Sequence, residues 1–144
     1  MPSGDPTRSA SGIVGVGTDL VSIDRFAAAL DRRPRLSGRL FTAEEAARLA
    51  ARSNPRARAA SSAARFAAKE AIMKSLGVGI GGARFTDIEV TGGSGSAPGV
   101  RLTGRARSLA LAKGVDEISL SMTHDAGLAV ATAVAYRRCS CAAS

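Results

Sequence analysis

The stretch ARFAAKEAIMKSLGVGIGG, Ala64 to Gly82, constrains the fold of this chain more than any other. At about 100° per residue, Ala64, Ala67, Ala68, Ala71, Ile72 and Ser75 share one face of a helix, and that face packs inward. The helix is expected to run to about Leu76 and to end at Gly77. Glu70 and Lys74, four apart and about 40° from each other, lie at one edge of the buried face, with Arg65 and Lys69 at the opposite edge. Two readings stand side by side: an i,i+4 ion pair worth a few tenths of a kcal/mol (~0.3), or a carboxylate and an ammonium that meet a metal and a phosphate. The glycines that follow serve either as a helix stop and turn or as a phosphate nest. A P-loop is excluded, because Lys74 and Ser75 precede the glycines at a helix end instead of following them.

Around this helix the chain reads as strand, helices, then strands interrupted by one helix. IVGVGTDL from Ile13 is a strand with Asp19 at its end, and its interior glycines permit close backbone approach. SIDRFAAALDRR is a helix with Ser22 as its cap, stopped by Pro34; TAEEAARLAARS is another, with Thr42 and Glu45 at capping-box spacing. NPRARAASS reads as a loop. FTDIEV and GVRL are short strands around a glycine-rich turn, and TGRARSLALAKG is a helix from Thr103 to Gly114. EISLSMTHD and GLAVATAVAY form a hairpin hinged at Asp125-Ala126-Gly127. This order predicts an α+β fold, an antiparallel sheet packed with one long helix, and not a doubly wound sheet. Residues 1–12 are expected to be a disordered leader, 13–136 one domain, and 137–144 a tail.

The 144 residues carry 20 Lys and Arg against 12 Asp and Glu, a formal +8, so the surface attracts acidic partners. Aromatic residues make up only 3% and hardly interleave with the dispersed arginines, which argues against a nucleic acid partner. No run approaches the ~20 apolar residues that span a bilayer, and the expected location is cytoplasmic, with no membrane partner. Cys139 and Cys141 read as incidental reduced thiols, although Cys141-Ala-Ala-Ser fits a prenylation pattern literally.

Asp19, at the end of a glycine-rich strand, gives Glu70 a companion from a different element. Two such carboxylates suit Mg²⁺, which takes few protein ligands, and Lys74 would then meet phosphate charge that the metal leaves exposed. His124, the one histidine, is either a hydrogen-bonded structural residue at a strand end or a functional group.

As a set, GVGTDLVSIDRF (Gly15 to Phe26), FTAEE (Phe41 to Glu45), RFAAKEAIMKSLGVGI (Arg65 to Ile80), FTDIEV (Phe85 to Val90) and ISLSMTHDAGLAVA (Ile118 to Ala131) resemble the short-class phosphopantetheinyl transferases, the holo-acyl-carrier-protein synthases. The resemblance covers nearly everything from Ile13 to about Tyr136. It implies transfer of 4′-phosphopantetheine from coenzyme A to a serine of an acidic apo acyl carrier protein, with release of 3′,5′-ADP. It also implies Mg²⁺ held by Asp19 and Glu70, coenzyme A phosphates faced by Lys74, a coenzyme A contact at His124, a lesser part for Asp125, and carrier docking at Arg25. The catalytic set is thus Asp19, Glu70 and Lys74, in a homotrimer with coenzyme A bound between subunits. Ser22, in place of a frequent acidic residue, and Thr123, in place of a serine before the histidine, depart from the family pattern and bear on substrate choice. The carrier belongs either to fatty acid biosynthesis and lipid metabolism or to a polyketide or peptide pathway. Two other functions remain to be discriminated: a non-catalytic basic module that binds polyanions, and another Mg²⁺-dependent phosphoryl or nucleotidyl transferase that prefers ATP.

Overall fold

A computed structural model describes residues 12–138 apart from residues 80 and 94. The expected leader up to residue 11, and Cys139 and Cys141, lie outside the described residues. The chain runs β1 (Gly12–Ser22), α1 (Ile23–Arg32), α2 (Leu36–Leu40), α3 (Ala43–Ala50), α4 (Pro55–Ser75), a 3₁₀ turn (Phe85–Asp87), β2 (Ile88–Thr91), β3 (Gly99–Leu102), α5 (Gly104–Ala112), β4 (Glu117–Asp125) and β5 (Leu128–Arg137). One antiparallel sheet has the order β1-β5-β4, and β2 pairs with β3 in a second. The fold is α+β, with α4 laid across one face of the three-stranded sheet.

Small residues allow that close seating. On β5 the alternate residues Ala129, Ala131, Ala133 and Ala135 are buried, and they meet a helix face that includes Ala67, Ala68 and Ala71. On β1, a Cβ built on Gly15 would stand 2.0 Å from the Ser75 carbonyl oxygen, and one on Gly17 would stand 1.9 Å from that of Ala71. Any side chain at either position would push β1 off the C-terminal half of α4. The other side of α4 carries an aromatic cluster. Phe26 stacks on Phe66 with centroids 4.9 Å apart, Phe41 meets Phe26 edge-on, and Phe85 tilts against Phe66. All four phenylalanines of the chain join in this cluster, which fixes α1 to α4.

Local signals explain most boundaries. Ser22 accepts from the Arg25 amide and caps α1, and Thr42 and Glu45 form the expected capping box of α3. Gly77, at φ +69°, ends α4 in a Schellman motif: its amide donates to the Lys74 carbonyl and the Val78 amide to that of Met73. Ala126 and Gly127 both take positive φ, as a two-residue hairpin turn requires.

Three expectations need correction. NPRARAASS is helix and not loop: the Asn54 side chain accepts from the Arg56 and Ala57 amides, and Pro55 occupies the first turn, where its missing N–H costs nothing. Asp19 lies inside β1 and not at its end, because β1 continues to Ser22. Arg65 and Lys69 are buried and not at a rim. Lys69 Nζ donates to Leu40 O (2.6 Å), Glu45 Oε1 (2.6 Å) and Phe85 O (3.0 Å), so its three protons tie α2, α3 and the 3₁₀ turn to α4. Burial pushes the Lys69 pKa down, and Glu45 works against that shift.

Candidate active site

Two clefts flank α4, and each is built from a row of residues four apart along the helix. Phe66 and Glu70 line one, with Lys74 a turn beyond them on the same row; Ala57, Ser61 and Arg65 line the other.

The first cleft brings together Asp19, Ser22, Arg25, Ala29, Arg32 and Glu70. Asp19 pairs across the sheet with Ala131, a residue buried toward α4, so its carboxylate faces the helix. The ion pair between Glu70 and Lys74 does not form. Lys74 Nζ instead donates to Asp19 Oδ1 (3.2 Å) and to Thr18 O (2.8 Å). Its stem reaches there because Gly17 has no side chain: a Cβ at Gly17 would stand 2.8 Å from that of Lys74. Glu70 is half-buried, and its pKa is raised above the usual carboxylate range, first by burial, then by the Asp19 charge, with Lys74 opposing. Lys74 therefore pairs with Asp19 alone and acts on Glu70 only through its field. Among the described residues no cluster of three or more His, Cys, Asp or Glu could hold a metal ion, so a cation here would rest on these two carboxylates. Arg25 is exposed on α1 at the cleft's rim, and Arg32 lines the cleft two turns further along.

The second cleft lies on the opposite flank of α4. His124 pairs with Ala129 at the end of β4 and faces this cleft together with Arg52, Ser61, Arg65 and Gly93. The structure therefore does not bring His124 to Asp19 and Glu70 within one chain. Asp125 sits in the hairpin turn, where its Oδ1 accepts from the Ala126 amide, and lines neither cleft.

Arg65 is a candidate anion-binding group that sequence reasoning missed. It is 4% exposed, donates to Ser61 Oγ and to Gly92 O, and leaves a buried Nε with no partner. Burial lowers its pKa, Glu45 raises it, and Arg52 and Arg48 lower it again. An anion in this cleft would meet an orphaned donor in a concentration of positive charge. The sequence signal was the i,i+4 alignment of Arg65 with Ser61, which the assignment of NPRARAASS to a loop obscured.

The far face of the three-stranded sheet has no described element over it. Val16 and Leu20 stand exposed there beside Val134 and Val130, their cross-strand partners, with Thr18 opposite Thr132 between them. No helix of the described residues is long and apolar enough to cross a membrane.

Known proteins resemble this chain in sequence and in fold. The sequence model of the 4′-phosphopantetheinyl transferase superfamily matches residues 15–133. A holo-[acyl-carrier-protein] synthase of Beutenbergia cavernae is 50% identical over 125 residues, covering 87% of this chain and 99% of that protein. Among solved structures, the acyl carrier protein synthase of Plasmodium yoelii with ADP bound superposes with a TM-score of 0.81 at 29% identity, covering 90% of this chain and 99% of the other. The holo-[acyl-carrier-protein] synthase of Helicobacter pylori in complex with coenzyme A gives 0.71 at 30% identity, covering 83% and 98%.

Proposed function

The chain belongs to the 4′-phosphopantetheinyl transferase superfamily, and from that premise we infer that it is a holo-acyl-carrier-protein synthase. It transfers 4′-phosphopantetheine from coenzyme A to a serine of apo acyl carrier protein. The observation that carries this reading is the first cleft, where Asp19, Glu70 and Lys74 gather beside an exposed arginine on the adjoining helix.

The serine oxygen must bond to the β-phosphorus of a pyrophosphate that already bears negative charge, while the bond to the 5′-phosphate of 3′,5′-ADP breaks. Charge neutralisation and alignment dominate such a transfer. Asp19 and Glu70 fit Mg²⁺: two hard oxygen donors from different elements are close enough for one charge to raise the other's pKa, and a lysine ammonium already acts as counter-cation to Asp19. Bound there, Mg²⁺ would supply positive charge at the pyrophosphate. Lys74 carries further positive charge toward the same phosphates. The proton that the serine loses passes to Glu70 or to water, and a carboxylate that holds a metal is the weaker base for it.

The second cleft takes the other phosphate of coenzyme A in this reading. The orphaned Arg65 Nε, with Arg52 and His124 beside it, suits the 3′-phosphate at the nucleotide end. His124 and the Asp19–Glu70 pair of a single chain line different clefts, which favours a complete site formed between copies. The uncovered Val16, Leu20, Val130 and Val134 face supports the same assembly, a homotrimer closed by rotation about this sheet. Arg25 docks an acidic segment of the carrier at the rim of the first cleft. The reaction is placed in the cytoplasm, where thiols such as that of coenzyme A stay reduced.

The test is chromatographic. Coenzyme A, apo acyl carrier protein and Mg²⁺ should yield 3′,5′-ADP in step with carrier modification, and ATP in place of coenzyme A should yield nothing. Consumption of ATP would favour a different transferase. Salt-sensitive binding of any polyanion, with no turnover and no response to Glu70→Ala, would favour a binding module.

A further inference from the structure

We propose that Lys74 is a latch on the metal site, so that metal and coenzyme A binding are coupled through its movement. The inference rests on the metal reading of Asp19 and Glu70 and deepens it.

Four observations carry it. Lys74 Nζ sits on Asp19 Oδ1 at 3.2 Å and on Thr18 O at 2.8 Å, where it occupies an edge of the carboxylate that a divalent cation needs. Glu70 shares no ion pair with it, so the single ammonium leaves one carboxylate without a counter-ion in contact. The latch is built into the backbone, since the bare Gly17 lets the Lys74 stem cross β1 to reach Asp19. The contact is also releasable: the Lys74 side chain is 52% exposed and that of Asp19 20%, so water replaces each bond as it breaks.

The charge count gives the coupling its sign. Two carboxylates and one ammonium sum to −1; a divalent cation with Lys74 still in place would bring the cluster to +1, with two cations competing for Asp19. Lys74 must then move, and the groups that favour its new position are the phosphates of coenzyme A. Metal alone therefore binds against the latch, whereas metal with coenzyme A binds after it has opened. By linkage, each ligand tightens the other by the same factor.

The experiment measures Mn²⁺ affinity by electron paramagnetic resonance on the intact assembly, without carrier protein so that nothing turns over. Wild type, Lys74→Met and Lys74→Arg are compared with Mn²⁺ alone and with Mn²⁺ plus coenzyme A, after circular dichroism shows that the variants fold. Removal of a partly exposed ion pair should tighten binding of Mn²⁺ alone by roughly three- to tenfold in Lys74→Met. Coenzyme A should tighten Mn²⁺ binding to the wild type and do so less in Lys74→Met, while Lys74→Arg should keep the latch. Equal or weaker binding of Mn²⁺ alone by Lys74→Met, including no detectable binding by either protein, overturns the latch. If in addition the wild type fails to bind Mn²⁺ with coenzyme A present, the metal reading itself has failed.

Discussion

Gly17 offers a quantitative test of how the fold serves the site. An added Cβ would stand 1.9 Å from the Ala71 carbonyl oxygen, and real Cβ contacts essentially never fall below 3.0 Å, so Gly17→Ala requires β1 and α4 to part by about 1.1 Å. No rotamer change relieves this overlap, because the obstructing atom is backbone. Overpacking of this kind costs about 1–3 kcal/mol, and the upper half of that range applies where a strand must shift off a helix. The displacement also separates Asp19, on β1, from Glu70 and Lys74, on α4. Misplacement by about 1 Å lowers turnover on the order of 100-fold. Gly15→Ala, whose Cβ would stand 2.0 Å from the Ser75 oxygen, is the control: it should lose similar stability and far less turnover, because its clash lies farther along β1 from Asp19. Urea unfolding at one fixed protein concentration, together with steady-state kcat for carrier modification, separates the two effects. Loss of stability below about 0.5 kcal/mol in Gly17→Ala, or equal loss of kcat in both variants, would refute the argument that close β1 to α4 contact sets the carboxylate geometry.

Three further outcomes are expected. Glu70 carries a carboxyl whose folded pKa lies above its unfolded value, so the wild type loses stability as pH rises through that raised value. Without divalent metal, Glu70→Gln should raise Tm by a few degrees (about 2–4 °C) at pH 8 and by little near pH 4, read by scanning calorimetry; a Tm increase independent of pH would contradict the charge argument. Arg25→Glu should raise the KM for carrier protein about tenfold or more and leave coenzyme A binding unchanged, and unaltered carrier kinetics would remove Arg25 from the docking surface. Val16→Glu, on the uncovered sheet face, should lower the mass measured by light scattering to that of one chain and abolish turnover; an active monomer would contradict a site formed between copies.

What the sequence made legible was local. The Thr42 and Glu45 capping box, the Gly77 helix stop and the 126–127 hairpin turn each depend on residues a few positions apart, and each formed as expected. Asn54 and Pro55 carry an equally local signal, but they read as a loop because the residues that favour loops also start helices. The helical wheel placed Glu70 and Lys74 together at one edge of α4 but could not show that Lys74 would turn to Asp19, 55 residues away. The same wheel put Lys69 at a rim. Its burial depends on Leu40, Glu45 and Phe85, which converge on its Nζ only after α2, α3 and the 3₁₀ turn wrap over α4. His124 and Glu70 were grouped by family resemblance, and their placement on opposite flanks of α4 becomes clear only in three dimensions.

The central claim is that Asp19 and Glu70 direct phosphopantetheine transfer from coenzyme A. Intact mass spectrometry of an apo acyl carrier protein, incubated with this protein, coenzyme A and Mg²⁺, tests it most directly. A mass gain equal to one phosphopantetheine is expected, abolished by EDTA, restored by excess Mg²⁺, and absent with Glu70→Ala or Asp19→Ala. A gain that persists in EDTA and in both variants would contradict it.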